Sequence, residues 1–197
     1  MDASFETLIA SYLANNVGLS LDFLDPNLCN HLANNILSLK EVELLVSAGI
    51  GNDLKLQNNQ TIRRDKIFWL DKKNNNEYEN AFFEKIDAFI SYLNETCYAG
   101  ITGYEFHYSL YEKGAFYKRH LDQFKDNSSR QFSMISYLNP NWKKEDGGEL
   151  QVFHENRQQK IEPKQGTTVF FKSSELEHEV LETNARRMSV TGWLKRG

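Results

Sequence analysis

Residues 104–111 read Tyr104-Glu105-Phe106-His107-Tyr108-Ser109-Leu110-Tyr111. This run is rich in β-formers, and similar runs recur down to the C-terminus: Phe132–Leu138, Glu149–Phe153, Thr167–Phe171 and Arg187–Leu194. Gly114, Asn139-Pro140-Asn141, Gly147-Gly148 and Pro163–Gly166 separate them with turn chemistry. Short strands at this spacing predict an antiparallel sandwich or barrel of jelly-roll type. Upstream the period changes from 2 to that of a helix. Phe5, Leu8, Ile9 and Leu13 recur at helical spacing. Asp25-Pro26 offers an N-cap and a first-turn proline, followed by a stripe of Leu28, Leu32, Ile36 and Leu37. A third helix is expected over Tyr78–Thr96, with Phe82, Ile86, Phe89, Ile90 and Leu93 on one face. Asn58-Asn59 and Asn74-Asn75-Asn76 mark loops between these helices. The reading is α+β: a helical flank of about residues 1–100 supporting a jelly-roll core of about 101–197.

Composition limits what such a fold can do. In 197 residues, 13 Phe, 9 Tyr and 3 Trp are enough for a sizeable core, which argues against disorder. The net charge of −4 argues against a broad nucleic-acid surface. Cys29 and Cys97 make neither a disulfide framework nor a thiolate zinc cage, and both are expected to be buried, inert thiols in helices. Met1-Asp2-Ala3-Ser4-Phe5-Glu6 lacks the basic start of a secretory signal. No apolar run approaches the ~20 residues that span a bilayer. The expectation is a soluble cytoplasmic protein without membrane contact.

The chemistry centres on His120-Leu121-Asp122. On a strand, residues i and i+2 face one side, so the imidazole and the carboxylate can address one ion. His178 follows 56 residues after Asp122, in Glu177-His178-Glu179-Val180, a separation that returns a jelly-roll chain to a neighbouring strand. Two His and one carboxylate on one face of a metal leave the other positions open, as in non-haem Fe(II) oxygenases. Nine residues on, Arg187 opens the last strand, where a buried guanidinium can clamp a carboxylate. Strand parity puts Arg187, Ser189, Thr191 and Trp193 on one face and Met188, Val190 and Leu194 on the other. Ser133, Ile135 and Tyr137 likewise share a face. Arg186, beside Arg187, faces the opposite way. His31 and His154 read as packing or turn residues. His107 shares the parity of Tyr111, but a core or surface role is favoured for it over the pocket.

Ile62–Trp69, Tyr117–Asp122, Ser136–Trp142, Gly147–Leu150, Ile161–Lys164, His178–Val180 and Arg187–Trp193 together resemble the prolyl 4-hydroxylase superfamily of 2-oxoglutarate/Fe(II)-dependent dioxygenases. The likeness is strongest to the hypoxia-sensing prolyl hydroxylases and their bacterial relatives, and it covers roughly residues 15 to 195. It implies a single dioxygenase domain over 1–197 with a cupin-like double-stranded β-helix. His120, Asp122 and His178 would then hold Fe(II), and Arg187 with Tyr137 would bind the far carboxylate of 2-oxoglutarate. Tyr111, Ile135, Leu150 and Val180 would line that pocket. The stretch from Tyr111 to His120 is one residue shorter than in the hypoxia-sensing enzymes, which leaves Tyr108 as the alternative tyrosine. Arg130 and Trp193 would lie near the substrate, and Arg63 and Asp65 on a mobile loop, about Asn52 to Asp71, that closes over a peptide. The resemblance implies O2 as cosubstrate, ascorbate as reductant, and hydroxylation of a prolyl residue in a protein partner, elongation factor Tu being the first candidate. The alternatives are a hydroxylase of a free amino acid or other small molecule, and a non-catalytic binding module.

Overall fold

Asp25 and Asn76 start the two longer helices. In the computed structural model, which describes residues 2–49, 60–124, 126–155 and 157–197, the Asp25 carboxylate accepts from the Asn27 and Leu28 amides and Pro26 takes the first turn. Helix α1 is Ala3–Asn15, α2 is Pro26–Glu41 and α3 is Glu77–Cys97. The Asn76 side chain accepts from the Tyr78 and Glu79 amides at the head of α3. All three bury the expected apolar stripes, with one exception. Leu13 is exposed, because α1 docks through Phe5, Leu8 and Ile9 and sets Tyr12 edge-on to Phe132 and Phe170.

In chain order the strands are β1 (Gly18–Ser20), β2 (Val46–Ser47), β3 (Lys66–Trp69), β4 (Gly103–Tyr111), β5 (Tyr117–His120), β6 (Arg130–Tyr137), β7 (Leu150–Phe153), β8 (Gln158–Ile161), β9 (Thr168–Lys172), β10 (Glu177–Val180) and β11 (Arg187–Lys195). They form two antiparallel sheets. The larger has the order β1-β9-β6-β11-β4-β3-β2 and the smaller β5-β10-β7-β8. This is the jelly-roll, double-stranded β-helix arrangement, supported on one side by the helices.

The expectation of helices and loops alone in the first half needs correction. β1, β2 and β3 lie there and extend the large sheet at both ends. They have three, two and four residues, too short to show an alternation. Gly18 lets β1 lie close to α1, since a Cβ there would stand 2.6 Å from the Leu8 carbonyl oxygen. The expected Asn58-Asn59 turn lies outside the described residues.

The parity of β11 divides the interior into two cores. Met188, Val190 and Leu194 join Phe106, Tyr108, Leu110 and Met134 against the helices. On the opposite face, Tyr111, Ile135, Tyr137, Val169 and Phe171 pack towards Leu150, Val152, Ile161 and Val180 of the small sheet. A cavity of about 720 Å³ opens between the sheets on this second side. Of the cysteines, Cys29 is buried as expected, but Cys97 is exposed at the last residue of α3.

Candidate active site

Strand pairing creates the first half of the site. β5 and β10 are antiparallel with His120 directly opposite His178, and their rings lie 4.2 Å apart. Asp122 arrives differently from the strand argument. β5 ends at His120, and Asp122 sits in a bend beyond it. The triplet still converges: Asp122 Oδ1 is 3.4 Å from His120 Nε2, and its Oδ2 is 3.7 Å from His178 Nε2. The ligand atoms of all three lie within 4.8 Å of one another. Two donors bound at right angles to one ion at about 2.1 Å stand roughly 3 Å apart, so this set is close to closing on a metal.

The tautomers suit that role. His120 Nδ1 lies 2.7 Å from the Lys118 carbonyl and His178 Nδ1 3.1 Å from that of Leu176. A carbonyl only accepts, so each Nδ1 carries a proton, and in the neutral ring Nε2 is then the nitrogen with the lone pair. Burial, aided by His120, pushes the His178 imidazole down to about 4 and keeps it neutral. Burial opposes ionisation of Asp122, but His178, His120 and Ser133 outweigh it and hold the carboxyl well below the usual range. One carboxylate and two imidazoles with their Nε2 atoms turned towards it form the facial donor set that suits a non-haem Fe(II).

Deeper in, β4, β11 and β6 bring Tyr111 opposite Arg187 and Ser189 opposite Tyr137. Arg187 is 2% exposed and donates from Nε to the Gly148 carbonyl at 2.8 Å. Its guanidinium lies 4.8 Å from the Tyr111 ring centre and 4.9 Å from that of Tyr137. Among the described residues, Arg187 Nη2 and the Tyr137 hydroxyl lie near one another, buried without a hydrogen-bond partner of good geometry. Two orphaned donors side by side in an apolar wall are costly unless an anion joins them. Ile135, Leu150 and Val180 line the same cavity, as does Tyr111. The pocket suits a buried anion, and Arg187 lies on the same cavity wall as the three-ligand cluster, as a dicarboxylate reaching between them would require. Gly148 makes room: at φ +74°, a Cβ there would press on Arg187 Cδ and Thr183 at 3.0 Å. Tyr108 does not compete with Tyr111; its hydroxyl faces the helices, 3.3 Å from Asn35 Nδ2. Arg186 is exposed.

Towards the mouth the wall is aromatic and charged. Trp193, His107, Trp69, Arg130, Arg63 and Glu105 all line it. Arg63 is held bidentate by Asp65 (2.7 and 2.6 Å) and lies 4.2 Å over the Tyr117 ring. Asp65 is 1% exposed and does not line the cavity, so it acts through Arg63. Residues 52–59 of the expected substrate loop lie outside the described residues. His107 departs from the favoured reading. It lines the cavity, stacked 5.4 Å from Trp193 and tilted 4.9 Å from Trp69. Glu105 and Trp69 went unassigned by sequence, although Glu105 shares the β4 parity of His107 and Tyr111.

A family model of the 2OG-Fe(II) oxygenase superfamily matches residues 106–195. Among solved structures, the chain is similar to a Pseudomonas putida prolyl-4-hydroxylase: 31% identity, TM-score 0.87, covering 98% of this chain and 99% of that one. The chain belongs to the 2OG-Fe(II) oxygenases of prolyl hydroxylase type. This oxygenase is also similar in fold to a Trichoplax adhaerens prolyl hydroxylase solved with a hypoxia inducible factor oxygen degradation domain peptide fragment. That likeness has 24% identity and a TM-score of 0.86, covering 97% of this chain and 88% of that one. A non-heme α-ketoglutarate-dependent epimerase from nogalamycin biosynthesis shares the fold at 14% identity and TM-score 0.66, with 96% and 81% of the chains covered. The jelly roll alone therefore does not fix the reaction.

The remaining histidines of the oxygenase have structural surroundings. His31 stacks on Tyr78 at 3.7 Å. His154 follows β7 outside the metal cluster. His107 supplies a pH prediction. Burial, helped by Arg63, lowers its imidazole from the ordinary 6.5 to about 3. Below pH 6.5 the unfolded chain therefore takes up a proton that the folded chain refuses. Stability is fully present above pH 6.5 and falls as pH drops towards 3, by up to about 1.4 kcal/mol per pH unit for each such group. Melting curves of the chelator-treated oxygenase should show this decline. His107→Leu should flatten it, and an unchanged slope in that variant would refute the assignment.

Proposed function

We propose that this oxygenase hydroxylates a prolyl residue in a protein. Fe(II) would be held by His120, Asp122 and His178, and 2-oxoglutarate by Arg187 and Tyr137. The observation that carries the metal and cosubstrate half is the pair of orphaned buried donors beside an open three-ligand cluster. Full-length similarity to the Pseudomonas putida prolyl-4-hydroxylase supports the prolyl half, and the peptide bound to the Trichoplax relative supports a peptide substrate.

When bound, the iron supplies oxygen activation, so that substrate C–H, 2-oxoglutarate and O2 become substrate C–OH, succinate and CO2. The protein supplies geometry. Arg187 and Tyr137 fix the tail of the cosubstrate and so the reach of its keto acid end. Ile135, Leu150 and Val180 exclude water along its chain. Trp193 and Arg130 would offer the prolyl ring a face in the cavity that Arg63, over Tyr117, also lines. Ascorbate is the proposed reductant that restores Fe(II). Elongation factor Tu, an abundant cytoplasmic protein, is the first substrate to test, and the oxygenase is placed in the cytoplasm with it. No helix among the described residues is long and apolar enough to cross a membrane.

Tandem mass spectrometry on a lysate of the source organism tests the reading. The lysate is treated with enzyme, Fe(II), ascorbate and 2-oxoglutarate, with the His178→Ala protein as control. A proline that gains one oxygen only with active enzyme is the expected result. Succinate production stimulated by small-molecule extracts, with every protein unchanged, would replace the prolyl substrate by a free amino acid or similar molecule.

A further inference from the structure

We propose that Glu105 is a positioning residue that locks Arg130 in place and thereby ties the Trp193 platform to the bend carrying Asp122. The inference rests on the metal and substrate reading above. Glu105 stands opposite Trp193 across the β4–β11 ladder. Its Oε1 accepts from Arg130 Nε at 2.9 Å and lies 2.8 Å from Arg130 Nη2, and its Oε2 accepts from Lys195 at 3.1 Å. Arg130 Nη1 donates to the Asp122 carbonyl at 3.3 Å. The guanidinium lies 3.4 Å from the Trp193 ring centre and 4.7 Å from that of Phe124.

A guanidinium is planar, so anchoring Nε, Nη2 and Nη1 fixes its position and its tilt together. Glu105 supplies two of those three anchors. Without it, Arg130 keeps one 3.3 Å bond and its ring contacts, on a long side chain with several free rotations. Asp122 is the ligand that needs outside support most, because it lies in a bend and not within a strand. Its bend is pinned by the Arg130 bond to its carbonyl and by the Gln123 amide donating to the Ser173 carbonyl at 3.1 Å. Releasing Arg130 removes one of these pins. It also frees the cation on Trp193, where the substrate ring would rest. Lys195 and Arg130 keep Glu105 ionised despite partial burial, which preserves the anchor at neutral pH.

The test compares the full-length wild-type chain with Glu105→Gln and Glu105→Ala, the glutamine keeping size and fold. Mn(II), as a stand-in for Fe(II), is titrated in the presence of 2-oxoglutarate. The expected result is metal binding weakened about tenfold, the lower end of the loss from removing an outer partner of a ligand. The KM for a substrate peptide should rise, with the KM for 2-oxoglutarate unchanged at saturating metal. A purely structural Glu105 would lower the melting temperature without moving metal affinity. Mn(II) binding within twofold of wild type in both variants overturns the proposal. If the wild-type chain binds no Mn(II), the metal reading fails by itself, and tryptophan fluorescence then decides on the lock. Glu105→Gln should alter the emission of the wild-type chain but not of a Trp193→Phe background. Identical emission in both backgrounds overturns the lock.

Discussion

His178→Ala is expected to abolish turnover and to weaken divalent-metal binding by well over 100-fold while the chain stays folded. Losing an outer partner of a metal ligand costs about 10–100-fold in affinity, and losing the ligand itself must cost more. His178 would provide one of three donors, and among the described residues its Nε2 faces Asp122 Oδ2 at 3.7 Å. The fold does not depend on the ring. β10 remains paired with both β5 and β7 through its backbone, and the side chain lines the cavity between the sheets. A local cost remains. The Leu176 carbonyl loses its partner, and Asp122 loses one of the two imidazoles beside its carboxylate. Each unpaired buried group costs about 1–3 kcal/mol, and at about 2–4 °C per kcal/mol for a chain of this length the melting temperature should fall by about 2–12 °C per group lost. Mn(II) titration and a melting curve check both halves. His154→Ala, outside the cluster, should change neither. Metal affinity within tenfold of wild type would mean that His178 is not a ligand.

The legible parts of the site were those governed by a fixed period. Alternation along β11 separated the cavity face from Met188, Val190 and Leu194, because side-chain direction in a regular strand depends only on parity, whereas the choice of Arg187 over Arg186 came from the family resemblance. The same rule aligned Ile135 with Tyr137. It failed for Asp122, which lies beside the two imidazoles but not by alternation. The strand stops at His120, and a bend, not alternation, turns the carboxylate towards the imidazoles. β1, β2 and β3 were invisible because two to four residues cannot display a pattern, and their pairing partners lie far along the chain. β8, Gln158–Ile161, reads as polar because it is an edge strand of the small sheet. Glu105 was passed over for a related reason. Its meaning comes from Arg130, 25 residues away and brought near only by β11 lying between β4 and β6. Leu13 and Cys97 show the limit of helical periodicity. It predicts that a stripe exists, whereas the length of the surface packed against it decides where burial ends.

Arg187→Ala is expected to weaken 2-oxoglutarate binding about 100-fold while leaving Mn(II) binding in the absence of cosubstrate nearly unchanged. The residue is buried, already oriented by the Gly148 carbonyl through Nε, and presents Nη2 without a partner. A charge-assisted hydrogen bond contributes about 1.5–3 kcal/mol, and each 1.4 kcal/mol is tenfold in affinity. One such bond lost thus predicts about 10–150-fold, and a bidentate clamp lies at the upper end. Arg187→Lys should recover only part of the loss. An ammonium carries the charge but cannot hold the Gly148 carbonyl and a carboxylate in one fixed fork. Tyr137→Phe should cost less, since it removes a neutral donor. The double variant should cost less than the two single losses added, because both donors serve one carboxylate and the cycle reports their coupling. Arg186→Ala provides the control, being exposed one residue away. The readout is the dissociation constant of 2-oxoglutarate by calorimetry, with metal held saturating. Wild-type affinity in Arg187→Ala would show that the orphaned donors serve some other anion. A loss of equal size in Arg186→Ala would show that the β11 register, and with it the inward face of the strand, differs from the one described.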